Sequence, residues 1–175
     1  MNLQKERKAI DAALNQYRGW LDAIPEDLFT TTPASGGWSY AEVYSHILKA
    51  TLASSTAIDK CLHSNTQTTT QGPTFWGKLL MFTGSFPPIK VKVPASVNEK
   101  MPALKIDKEE ARTLIIKCRR QMDGLMAAMD GQTHTGRVKH PRLGMLNASQ
   151  WFKFIRIHLQ HHLKQLHRIK KVSNK

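Results

Sequence analysis

Three histidines carry the strongest chemical signal in this sequence. Two of them, His158 and His162, stand one helical turn apart in the run Ile157-His158-Leu159-Gln160-His161-His162-Leu163-Lys164-Gln165-Leu166-His167. At about 100° per residue, with His158 at zero, His162 falls near 40°, Trp151 and Ile169 near 20° and Ile155 near 60°. Lys153, Arg156, Gln160, Lys164 and His167 gather on the opposite side. Both histidines therefore lie inside an apolar stripe, with His161 at its edge and His167 toward water. A buried imidazole nitrogen without a partner costs free energy. A divalent metal ion satisfies two such rings at once, because neutral imidazole is a common ligand. The spacing of four is also that of helical metal motifs such as HExxH. The alternative is a pair of core histidines bonded to other polar groups. His46 adds a third imidazole within the apolar stripe of another helix, between Val43 and Ile47. Three histidines from two helices leave coordination positions open, as catalytic metal sites do. Periodicity alone does not say that the two stripes meet at one level.

Four long helical patterns must position these groups. The first spans residues 3–24, where Leu3, Ile10, Leu14, Tyr17, Leu21 and Ile24 draw one stripe, and Pro25 ends it. The second starts at Ser39, which forms a capping box with Glu42. Its stripe runs through Val43, His46, Ile47, Ala50, Ala57 and Cys61, and the Thr/Gln/Ser-rich residues 64–72 end it as a loop. Residues 75–82 read as a short apolar helix before Gly84 and Pro87-Pro88, and residues 89–103 as irregular. The third long helix starts at Asp107, presents Ala111, Leu114, Cys118, Met122, Leu125 and Met129 inward, and stops at Gly131. The fourth starts at Asn147, with Gln150 at the box position, and runs to about residue 172. No convincing run of strands is visible. The expected fold is all-α, a four-helix bundle with an irregular insertion between the second and third long helices. A single domain over residues 1–172 and a basic tail at 173–175 follow.

Composition narrows the class. A chain of 175 residues, 41% hydrophobic and 22% charged, suits one ordinary core. Cys61 and Cys118 form no CxxC motif and read as two buried free thiols. The sequence holds neither an apolar run long enough to span a bilayer nor a signal-peptide pattern at its start, and a cytoplasmic location is expected. The net charge of +13 favours acidic partners. Its spread along the chain, without basic and aromatic residues alternating, argues against a nucleic-acid platform.

With these residues in place, the sequence resembles the DinB superfamily of metal-binding four-helix bundles. The elements that carry the likeness are Gly37-Trp38-Ser39, Glu42 and His46 early in the chain and His158-xxx-His162-xx-Gln165 late in it. His140-Pro141-Arg142-Leu143-Gly144 followed by Trp151 is similar to one branch in particular. The resemblance implies His46, His158 and His162 as ligands of a divalent metal, with nickel, zinc and iron all found in such sites. It also implies a small-molecule substrate, because members include bacillithiol S-transferases and mycothiol-dependent isomerases.

An enzyme would then activate a low-molecular-weight thiol, or hydrolyse an ester- or amide-like bond, through the metal itself. The sequence has no Ser-His-Asp pattern, no Gly-rich phosphate loop and no paired carboxylates at the histidine motifs. Gln165, His140 and His161 are the candidate substrate-binding groups. Gln165 shares the face of His162 and equally suits a structural bond within the bundle. His140 either approaches the metal or serves as a turn residue bonded to backbone. Trp38 and Trp151 read as staple and core residues. The competing class is a non-catalytic, metal-stabilised binding module that meets acidic partners through its basic surface. The oligomeric state is open, a homodimer among the arrangements allowed.

Overall fold

A computed structural model describes residues 2–34, 36–63, 69–87, 103–129 and 135–173. Its elements, in order, are α1 (Leu3–Ala23), the single turn α2 (Glu26–Phe29), α3 (Tyr40–Leu62), α4 (Phe75–Thr83) and α5 (Lys108–Met129). The hairpin β1 (Arg137–His140) and β2 (Gly144–Asn147) and the last helix, α6 (Ala148–Ser173), follow. The expected irregular stretch at 89–103 lies outside the described residues except for Ala103. So do the Gly131 stop, residues 64–68 of the polar loop and the last two residues of the basic tail.

The helices begin where their side chains supply the missing backbone partners. At α3 the Ser39 amide donates to Glu42 Oε2 (2.8 Å), and the Glu42 amide returns to Ser39 Oγ (3.3 Å). At α6 the same exchange joins Asn147 and Gln150, at 3.1 and 2.9 Å. The Glu110 amide donates to Asp107 Oδ1 (2.7 Å) and fixes the start of α5. Ile24 caps α1 and Pro25 heads α2, a turn that the breaker at Pro25 had concealed.

The four long helices close a ring in which α5 and α6 each pack against both α1 and α3. Helices adjacent in sequence, α1 with α3 and α5 with α6, therefore sit diagonally. Short loops favour antiparallel neighbours; here the links carry α2 in one case and the β hairpin in the other, and are long enough to cross the bundle. Buried tyrosines tie the diagonal together. Tyr44 on α3 donates to the Tyr17 carbonyl on α1 (2.7 Å), and Tyr17 donates to the Leu159 carbonyl on α6 (2.9 Å). Ile10, Leu14, Ile47, Ile58, Ile115, Met122 and Phe152 fill the space around them. Both cysteines are free and buried in this core.

The hairpin departs from the strand-free expectation. Arg137 pairs with Asn147 and His140 with Gly144 in an antiparallel ladder. Gly144, at φ +83°, approaches the 72–74 backbone so closely that a Cβ there would fall 2.7 Å from the Thr74 nitrogen. Thr74 donates to the Leu143 carbonyl (2.8 Å), which locks the start of α4 onto the hairpin turn. None of the described helices is long and apolar enough to cross a membrane.

Candidate metal centre

The pairing of α3 with α6 brings the two histidine stripes to one level. Ring centroids of His46 lie 5.3 Å from His158 and 4.9 Å from His162. One ligand nitrogen from each of the three rings lies within 4.8 Å of the other two. The closest pair, His158 Nε2 and His162 Nε2, stands 3.0 Å apart. Two nitrogens bound tetrahedrally to one ion, each about 2.1 Å from it, stand roughly 3.4 Å apart. The pair is therefore within a few tenths of an ångström of ligand spacing.

Gln165, one turn beyond His162, fixes the tautomer. Its Oε1 lies 2.7 Å from His162 Nδ1 and accepts that proton, which leaves the Nε2 lone pair facing His158. Such a partner on the far nitrogen orients and strengthens metal-ligating histidines. Burial keeps the rings neutral. It lowers the His46 pKa to about 4 and that of His162 to about 3, with the neighbouring histidines adding to both effects. His158 is pushed well below its ordinary value by the same burial and then by His162 and His46. Three neutral imidazoles with one ring nitrogen each brought this close together are a donor set that suits a divalent transition metal.

Aromatic rings wall the cluster. Trp38 precedes the Ser39 cap, follows the left-handed pair Gly36 and Gly37, and lies nearly parallel to His162 at 6.3 Å and beside His46 at 5.0 Å. It faces the site as well as packing on the core, a role beyond the staple expected from its position. Phe154 stacks on His158 at 5.1 Å, and Phe86 contacts His158 at 6.0 Å and His161 at 4.8 Å. Sequence reasoning missed both phenylalanines. Phe154 was accessible, since it precedes His158 by one turn. Phe86 follows Gly84 on a segment without helical period, and nothing there announced it.

Neither of the other two candidate histidines, His161 and His140, joins the cluster among the described residues. His161 is half-buried at the edge of the stripe, with its ring 5.1 Å from His162. The Nδ1 of His140 accepts the amides of Arg142 and Leu143, both at 3.2 Å, as a turn residue does. Its ring rests on Phe154 at 4.8 Å, one ring removed from His158. His167 is exposed and packs edge-on against Trp20. Trp151 donates to the Val138 carbonyl (3.3 Å) and so ties α6 to the hairpin.

Solved structures similar to this bundle include two four-helix bundle proteins. One is the four-helix bundle protein TT2238, at TM-score 0.62 and 16% identity over 95% of this chain and 99% of that one. The other is YfiT from Bacillus subtilis, described as a probable metal-dependent hydrolase with an unusual four-helix bundle topology, at TM-score 0.67 and 13% identity over 97% of this chain and 86% of that one. No curated protein matches the sequence significantly. At these identities the two structures establish the fold alone, and descent is carried by the sequence itself. Residues 9–166 match the family in which that histidine pattern was expected, and the chain belongs to the DinB superfamily.

Proposed function

We propose that this chain is a divalent-metal-dependent enzyme that acts on a small molecule, hydrolysing an ester- or amide-like bond. His46, His158 and His162 hold the ion, and nickel, zinc and iron are all compatible with three imidazoles. When bound, the ion supplies a Lewis acid that activates a nucleophile at neutral pH. One observation carries the reading: three neutral rings converge with their ligand nitrogens within 4.8 Å, and no fourth His, Cys, Asp or Glu among the described residues joins them. Three protein ligands leave positions for water and substrate. Gln165 holds His162 in the ligating tautomer. Trp38 and Phe86 exclude water from two sides and offer apolar contact. His161, beside Phe86, meets the substrate, and His140 keeps its Nε2–H as a donor because Nδ1 is engaged in the turn. The description of YfiT supports the hydrolytic reading by analogy of fold.

Transfer of a small thiol is the second reading, favoured by the charge around the site. Burial, followed by Arg168 and Lys164, lowers the pKa of His161. The two cations, Arg168 and Lys164, attract an anion, a thiolate included, and no carboxylate among the described residues joins the three rings.

The test uses protein purified without an affinity tag, assayed against activated esters and amides, then against a thiol with an electrophile. Ester or amide turnover that chelation removes, metal restores and His158→Ala lacks is the expected result. Turnover only in the presence of thiol and electrophile supports the second reading. Bound metal with no turnover of either kind would reduce the centre to a structural element of a binding module.

A further inference from the structure

α4 has two faces. At about 100° per residue, Gly77, Leu80 and Met81 gather on one side, and Phe75, Leu79 and Phe82 gather opposite, with Trp76 at their edge. Gly77 and Leu80 are buried. On the other side Phe75 is 72%, Trp76 56%, Leu79 36% and Phe82 90% exposed. The helix is held in this attitude at both ends. Thr74 caps it and bonds the hairpin turn through its backbone amide and, at 3.1 Å, through its hydroxyl to the Arg142 carbonyl. A Cβ on Gly77 would lie 2.4 Å from the Leu143 carbonyl oxygen. From α6, Lys153 donates to the Met81 carbonyl at 2.7 Å and Arg156 to that of Gly84 at 3.4 Å. Single exposed apolar residues are ordinary, whereas four large ones side by side on a fixed helix mark a contact surface.

Charge selects the partner. Between Asp59 and Glu99 the chain has lysines and no acidic residue, and residues 131–175 contain ten Lys and Arg and no Asp or Glu. These two stretches supply α4, the hairpin locked to it and the helix beneath it. Lys78 on α4 and Lys139 and Arg142 on the hairpin are exposed. A second copy seated on this face would bring one molecule of charge +13 against another. The headgroup layer of an anionic bilayer has the opposite character. Phe and Trp side chains settle at that interface, and Lys and Arg are drawn to its negative potential.

We propose that α4 docks the protein on anionic phospholipid surfaces, with Phe75, Trp76, Leu79 and Phe82 entering the interface and Lys78, Lys139 and Arg142 meeting the headgroups. The docking face needs no metal and no particular reaction. Phe86 follows α4 and walls the histidine cluster, so a docked molecule holds that wall beside the membrane surface.

Co-sedimentation of the full chain with phosphatidylcholine vesicles, with and without phosphatidylserine, tests the proposal. Binding to the anionic vesicles should exceed binding to the neutral ones by about tenfold or more and should weaken with salt. The double variant Phe75→Ser/Phe82→Ser should lose about tenfold or more of that binding. Phe82→Ser alone, at the most exposed position, serves if the double variant does not fold, and should lose a measurable part. Three results would overturn the proposal: no sedimentation of the parent, sedimentation of folded variants equal to the parent, which means adhesion by charge alone, or a concentration-dependent dimer that the substitutions abolish without any vesicle binding, which means that a second copy covers the face.

Discussion

At His162 both ring nitrogens are engaged, one by Gln165 and one by His158, and the ring is buried. His46, His158 and His140 are held neutral by burial as well. Neutral buried histidines couple folding to pH. Unfolded, these rings take up protons below about pH 6.5. Folded, His46 and His140 wait until about pH 4 and His162 until about pH 3. The unfolded state therefore binds more protons in that window, and stability is present above the unfolded pKa and lost as pH falls. Chelator-treated protein should lose about 1.4 kcal/mol per pH unit for each proton taken up on unfolding, read by urea denaturation between about pH 7 and pH 5. Stability that stays flat or rises on acidification would mean that the rings are charged or solvated in the folded chain. The inward placement of His158 and His162 and the outward placement of His167 were legible from a helical angle. The partners of Trp38 and Phe86 were not, because both residues lie on irregular backbone that has no period to read.

The elements were legible where a side chain answers a backbone need. Ser39 with Glu42 and Asn147 with Gln150 announced the starts of the two helices that carry the histidines, and both exchanges form. Ser39→Ala removes one such partner from a buried helix end two turns before His46. It should cost about 1 kcal/mol of folding stability, measured by urea denaturation at neutral pH. A cost near zero would mean that the Glu42 half of the box or water suffices. The hairpin escaped notice for a physical reason. Its strands have four residues each, too few for an alternating pattern to stand out, and only one of these eight residues, Leu146, is fully buried. What fixes them is the Gly144 approach to the 72–74 backbone, a long-range contact with no local signature.

For the whole molecule, stripes and caps implied four packed helices but not which of them would be diagonal. That choice depends on links long enough to carry α2 and the hairpin across the bundle, and on Tyr17 and Tyr44 meeting at the centre. It decides the function proposed here, because only the pairing of α3 with α6 sets His46 opposite His158 and His162. The metal-centre assignment is tested most directly by titrating untagged, chelator-treated protein with zinc or nickel in a calorimeter, for the parent and for His46→Ala, His158→Ala, His162→Ala and His167→Ala. The parent and His167→Ala should each bind about one ion per chain, and the other three should lose that stoichiometric binding. Equal loss in all four variants, or full binding by folded His158→Ala, would contradict a centre built from these three histidines.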